Sequence, residues 1–104
     1  MTDAEIESEI QTKGLTAPRV TPERVEEVIA GEQYHVFANT TFTACLLTLV
    51  NGYTVLGESA CASPENFDAD LGRKIARKNA VNKIWALEGY LLRDQLHSLR
   101  DGVS

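Results

Sequence analysis

Over residues 42–50 apolar side chains recur with period two. Cys45, Leu47 and Leu49 fall on one side, and Phe42, Ala44 and Leu46 on the other. This period predicts a strand, and apolar groups on both sides mean that both faces can be covered. Asn51-Gly52 follows. It is the strongest short hairpin signal, because a two-residue turn needs positive φ at both central positions. Residues 53–60 then form the return strand. The two-residue turn sets Val50 opposite Tyr53, Thr48 opposite Val55, Cys45 opposite Glu58 and Phe42 opposite Cys61. An isolated hairpin is marginal in water. A third strand is expected from Tyr34-His35-Val36-Phe37, joined through the turn Asn39-Thr40-Thr41.

Three segments carry helix signals. Thr2 with Glu5 is a capping box, and Gly14 can close the helix it opens. Ile6 and Ile10 are the only large apolar residues there, a stripe too narrow for a core helix. Residues 1–19 are therefore expected to be loosely attached and 20–99 to form the core of a single domain, 1–104. Thr21-Pro22-Glu23 is a second start, with Thr as N-cap and Pro at the first helical position. That helix carries Val25, Val28 and Ile29 to a stop at Gly31. The third start is Ser63-Pro64-Glu65, with Asp68 as an alternative cap, and its pattern runs to about Ser98 with Gly102 beyond its end. Gly72 and Gly89 weaken its interior by roughly 1 kcal/mol each relative to Ala, but let a neighbouring backbone approach. The predicted fold class is α+β. A small antiparallel hairpin or three-stranded sheet packs on one long C-terminal helix, preceded by short N-terminal helices.

At about 100° per residue, Arg73, Lys74, Arg77, Val81, Ile84, Glu88, Leu91, Leu92, Gln95 and Leu99 lie within roughly 60° of one direction of the long helix. Charges inside an apolar stripe need partners. Arg73, Lys74 and Arg77 sit near the helix N-terminus, where the dipole and bidentate donors suit a phosphate. They are the candidate ligand-binding residues, with Tyr34, His35 and Tyr53 as stacking or base-edge contacts. Farther along, Ile84, Trp85, Glu88, Leu91 and Leu92 are a candidate interface. In the competing reading Arg73 and Arg77 pair with Glu88 or Glu58 of a second copy, or with the acidic N-terminal helices.

Composition narrows the function classes. With 43% hydrophobic and 24% charged residues the chain reads as an ordinary globular protein. No apolar run approaches the roughly 20 residues of a membrane helix. The acidic N-terminus lacks the pattern of a signal peptide. A net charge of −5 disfavours polyanion binding to DNA or RNA, though not a small anion held by a local cluster. Two cysteines, Cys45 and Cys61, are too few for a zinc site of their own. The hairpin register above puts them on opposite faces, so they read as small buried hydrophobes. Cys61 with His35, or Glu58 with Glu88, can be drawn as catalytic pairs, but no motif or spacing supports either. A non-enzymatic protein is expected, with no cofactor and no metal.

Several strings are distinctive: Asn51-Gly-Tyr-Thr-Val55, the run 57–68 (GESACASPENFD), the run 72–80 (GRKIARKNA) and the run 83–90 (KIWALEGY). Together with Tyr34-His-Val-Phe37 they resemble a family of small tailed-phage and prophage accessory proteins. The resemblance covers roughly residues 20–92 and implies a phage-encoded protein acting in the cytoplasm of the infected bacterial host. The resemblance implies origin and little mechanism. Small phage proteins of this kind often act stoichiometrically. The expected function is binding and sequestration of a small anionic, nucleotide-type host molecule, such as an antiphage-defence signal. The alternative is a homo-oligomeric structural or interaction protein that binds a host protein. A homo-oligomer is expected in either case.

Overall fold

The computed structural model describes residues 2–15 and 17–100. In chain order the elements are α1 (Asp3–Thr12), α2 (Pro22–Glu27), β1 (Ile29–Val36), β2 (Phe42–Leu49), β3 (Thr54–Ala60), a 3₁₀ turn (Pro64–Asn66) and α3 (Ala69–Arg100). The fold is α+β, as the hydrophobic pattern predicts. An antiparallel sheet of order β1-β2-β3 packs against the long C-terminal helix, and the N-terminal helices are short. Two compact units are formed. One is Val28–Ile84; the other joins the residues up to Glu27 with those from Trp85 onward, and α3 contributes to both.

In the sheet unit, the central strand buries Thr43, Cys45, Leu47 and Leu49 and leaves Phe42, Ala44, Leu46 and Thr48 half-buried. Its register with β3 differs by one residue from the predicted one: Phe42 pairs with Ala60, Cys45 with Gly57, Leu46 with Leu56 and Thr48 with Thr54. The turn is the cause. Gly52 N–H donates to Leu49 C=O at 2.9 Å, and Leu49 N–H donates to Tyr53 C=O at 2.7 Å. The loop therefore holds three residues, Val50, Asn51 and Gly52, and only Gly52 has positive φ (89°). A type I turn followed by a left-handed glycine is the standard three-residue hairpin. Because side chains alternate, the shift exchanges faces along β3. Val55 and Gly57, not Leu56 and Glu58, point to the core. Cys61 also changes parity, and the faces inferred for the two cysteines from the predicted register do not hold. Both cysteines are free thiols.

The second helix ends at Glu27, not at Gly31. Val28 and Ile29 belong to the sheet unit instead. Val50 N–H donates to Val28 C=O at 2.9 Å, and Ile29 pairs with Leu49. A β-bulge between Ile29 and Gly31 supplies one extra residue. That residue puts Ile29 on the Leu49 side of the sheet while Gly31 lies beside Thr48 on the other. Val28 is thus buried in the turn leading into β1 and Ile29 half-buried in the strand, which a local helix pattern cannot anticipate.

The third helix starts at the later of its two predicted caps. Asp68 Oδ1 accepts from Leu71 N–H at 3.1 Å. The stripe it buries against the sheet is also displaced from the predicted one. Gly72, Ala76, Ala80 and Ile84 are buried, Arg73 and Arg77 are only half-buried flanks, and Lys74 is exposed. Small residues at i, i+4 and i+8 let the helix backbone lie directly on the sheet. A Cβ placed on Gly57 would meet Ala76 O at 2.1 Å and Ala80 N at 2.3 Å. A hydrophobicity pattern gives little weight to Gly and Ala and so centres on the larger neighbours.

The free edge of β3 is covered from the same helix. Asn79 Nδ2 donates to Glu58 C=O at 2.8 Å, and Lys83 Nζ donates to Leu56 C=O. Such coverage removes a row of unpaired acceptors from an edge strand.

In the other unit several polar contacts are present. The predicted capping box at Thr2 and Glu5 is present. Gly14 (φ 69°) closes α1, with Leu15 N–H donating to Ile10 C=O and Gly14 N–H to Gln11 C=O, a Schellman ending. Ile6 is exposed and Ile10 half-buried. Trp85 Nε1 donates to Asp3 Oδ2 of this helix at 3.1 Å, and Glu7 forms an ion pair with Arg19. Thr21 caps α2 through Arg24 N–H, and Val25 is its buried residue. Gly102 lies outside the described residues.

Candidate functional site

On β1, Glu32 and Tyr34 are two residues apart and share the face toward α3. Arg77 reaches them from the helix: its Nε lies 2.9 Å from Glu32 Oε1, and the Tyr34 hydroxyl donates to the same oxygen at 2.7 Å. Tyr34 stands cross-strand from Cys45. The guanidinium, and then the phenol, hold the Glu32 carboxyl below the usual glutamate range. Burial, and then the bond to Glu32, push the Tyr34 hydroxyl well above the ordinary tyrosine value. Burial raises the Cys45 thiol. Each shift favours the form present at neutral pH: ionised carboxylate, neutral phenol, neutral thiol. None leaves a group poised to exchange a proton or attack near pH 7.

The two arginines expected to seek an anion are matched within the chain. Arg73 pairs with Asp70, and Arg77 pairs with Glu32. Asp68 already accepts a first-turn N–H of α3, and Asp70 adds a second carboxylate to that turn. Lys74 projects to solvent. Of the proposed contacts, the structure joins Tyr34 to Arg77 through Glu32. His35 lies on the opposite face of the sheet, and Tyr53 sits exposed beside the hairpin turn. Glu32 completes this cluster and escaped the sequence reading. Its only local signal is its i, i+2 relation to Tyr34.

Three of the residues proposed as an interface, Ile84, Trp85 and Glu88, are engaged inside the chain. Ile84 is fully buried, and Trp85 donates to Asp3. Glu88 Oε2 lies 3.6 Å from Arg24 Nε. Leu91 is exposed and Leu92 half-buried, beside a small cleft that also touches Arg19 and Arg24. Among the described residues, no three His, Cys, Asp or Glu side chains are grouped to hold a metal ion. No described helix is long and apolar enough to cross a membrane.

The sheet face turned away from α3 is different in kind. Cross-strand pairing arranges it in rows: Phe37, Phe42 and Ala60; His35, Ala44 and Glu58; Gln33, Leu46 and Leu56. Phe37 is 47% and Leu56 43% exposed, while Phe42 and Leu46 are half-buried. The His35 and Phe37 rings meet edge-on at 4.6 Å, and Phe37 and Phe42 at 5.6 Å. Contiguous apolar exposure of this kind marks interaction sites more often than scattered single residues do. The sequence showed half of it, through the Phe42, Ala44 and Leu46 alternation. The one-residue register difference hid the contribution of Leu56.

Residues 20–96 match the model of a phage protein family described as N4 Gp49/phage Sf6 gene 66. Comparison with curated proteins and with solved structures yields no match.

Proposed function

Since the chain belongs to the N4 Gp49/phage Sf6 gene 66 family of phage proteins, we propose that it is a non-enzymatic protein-binding module acting in the cytoplasm of the infected bacterium, with the open sheet face as its working surface. The observation that carries this reading is the exposure of Phe37 and Leu56 beside Phe42 and Leu46 on one continuous face. A covered core buries such side chains, and burying each one stabilises by roughly 1.5–3 kcal/mol. The Glu32, Tyr34 and Cys45 shifts support a non-catalytic role, since they lower reactivity at neutral pH.

Sequestration of a nucleotide-type defence signal has less support. A phosphate at Arg73 and Arg77 would displace Asp70 and Glu32 from their guanidinium groups. It would also approach a helix turn that already carries Asp68 and Asp70.

Photo-crosslinking in infected cells tests the reading. A p-benzoylphenylalanine at position 37 or 56 is expected to give discrete heavier adducts, and one at position 82, on the exposed side of α3, is expected to give none. Absence of adducts at 37 and 56, or an equal smear at all three positions, overturns it.

A further inference from the structure

We infer that the partner of the open sheet face is a second copy of this chain, docked face to face about a two-fold axis parallel to β2. This inference rests on the protein-binding reading above. The argument comes from the cross-strand rows. His35, Ala44 and Glu58 stand in one row, with the imidazole on β1, the methyl on β2 and the carboxylate on β3. A two-fold axis along the central strand lays each β1 on the partner's β3. Each row then meets its own reverse. His35 faces Glu58 of the partner subunit, and Glu58 faces the partner's His35. Ala44 meets its own copy at the axis, as do Phe42 and Leu46 on either side of it, so the axis is lined by apolar side chains.

The neighbouring row fits in size. Phe37, large and exposed, lies over the partner's Ala60, and the partner's Phe37 lies over Ala60. An isologous two-fold contact requires this self-complementarity. The other in-plane axis, perpendicular to the strands, places β3 on β3 and brings the two Glu58 carboxylates toward each other, which repels. The face carries a single acid, Glu58, and an imidazole, His35, whose ring N–H can donate to a carboxylate, so two copies in this arrangement give each Glu58 a donor.

Aligned sheets pack about 10 Å apart with interdigitating side chains. Strand spacing and rise give a footprint of roughly 15 by 25 Å, small beside the roughly 800 Å² per partner of a standard interface. A contact of this size fits a weak, reversible dimer.

Sedimentation velocity on the purified full chain tests this, over about 1–500 µM to bracket the micromolar range. The wild type is expected to shift from monomer to dimer. His35→Glu sets like charges opposite Glu58 twice per dimer and is expected to raise the Kd about tenfold. Adding Glu58→Lys to it should return the Kd to within about threefold of wild type. Ala44→Asp, at the axis, is expected to abolish the dimer. Circular dichroism identifies any variant that has not folded, and the wild-type result stands without variants. A wild type that stays monomeric throughout overturns the inference, as does a dimer indifferent to His35→Glu and Ala44→Asp. A monomer in solution that still gives a discrete adduct with another protein at positions 37 and 56 overturns the dimer alone. Loss of those adducts as well overturns the protein-binding reading too.

Discussion

Gly57 of β3 lies so close to α3 that a Cβ on it would sit 2.1 Å from the carbonyl oxygen of Ala76. No side-chain rotation relieves that overlap, because the obstacle is helix backbone. Gly57→Ala is therefore expected to cost about 3 kcal/mol or more, at the upper end of overpacking substitutions. That is a large fraction of the stability of a domain this size. Urea denaturation followed by circular dichroism checks it. A midpoint unchanged from wild type would show that helix and sheet are not in this contact.

Thr43 is fully buried, and its hydroxyl has no hydrogen-bond partner among the described residues. It faces Gly72, where a Cβ would approach Thr43 Oγ1 to 2.9 Å. An unsatisfied buried hydroxyl costs about 1–3 kcal/mol, and an apolar group of the same shape removes that cost. Thr43→Val is expected to be neutral or to stabilise by about 1 kcal/mol, read as a higher melting temperature. A clear loss would show that the hydroxyl is satisfied.

The Glu32–Arg77 pair makes stability depend on pH in a defined direction. The folded-state pKa of Glu32 lies below its unfolded value, chiefly through its bond to Arg77. Its contribution is fully present above the unfolded glutamate value of about 4.3 and is lost as pH falls through the folded value. The pair is partly exposed, with side chains 29% and 38% accessible, so solvent screening keeps the effect below about 1 kcal/mol. Glu32→Gln is expected to flatten this part of the acid limb without altering stability changes between pH 6 and 8. Paired denaturation series at pH 7 and pH 3 measure it. Equal losses in both proteins would assign the acid sensitivity elsewhere, for example to Glu7, which Arg19 lowers in the same way.

Trp85 is the sole tryptophan, and its indole donates to Asp3. Its emission therefore reports whether α1 is docked. Asp3→Ala is expected to red-shift that emission while costing no more than about 1 kcal/mol of stability. An unchanged spectrum would place α1 away from the indole.

Local signals carried the elements well. Thr2 and Glu5, Thr21 with Pro22, and Asp68 act within one turn of themselves, so each cap could be read from the chain. The alternation over 42–49 likewise separated the two faces of β2, because strand parity is a local property, while which face is buried came from the packing of α3. The candidate site was less legible. Arg77 finds Glu32 across 45 positions of sequence. Arg73 finds Asp70 within one helical turn, whereas the helix-face pattern points it to a ligand, a second copy or the acidic N-terminal helices.

The sequence by itself determined the α+β class, the helix caps, a hairpin at Asn51-Gly52 and the two faces of the central strand, because each depends on neighbours a few residues away. Only the tertiary structure decided the hairpin register, the end of α2 at Glu27 with Ile29 passing into the strand, and the stripe that α3 buries. A left-handed glycine and a bulge each shift parity by one residue, and close packing selects Gly72, Ala76 and Ala80 over larger neighbours. Those three choices are global, since a buried face is defined by what covers it.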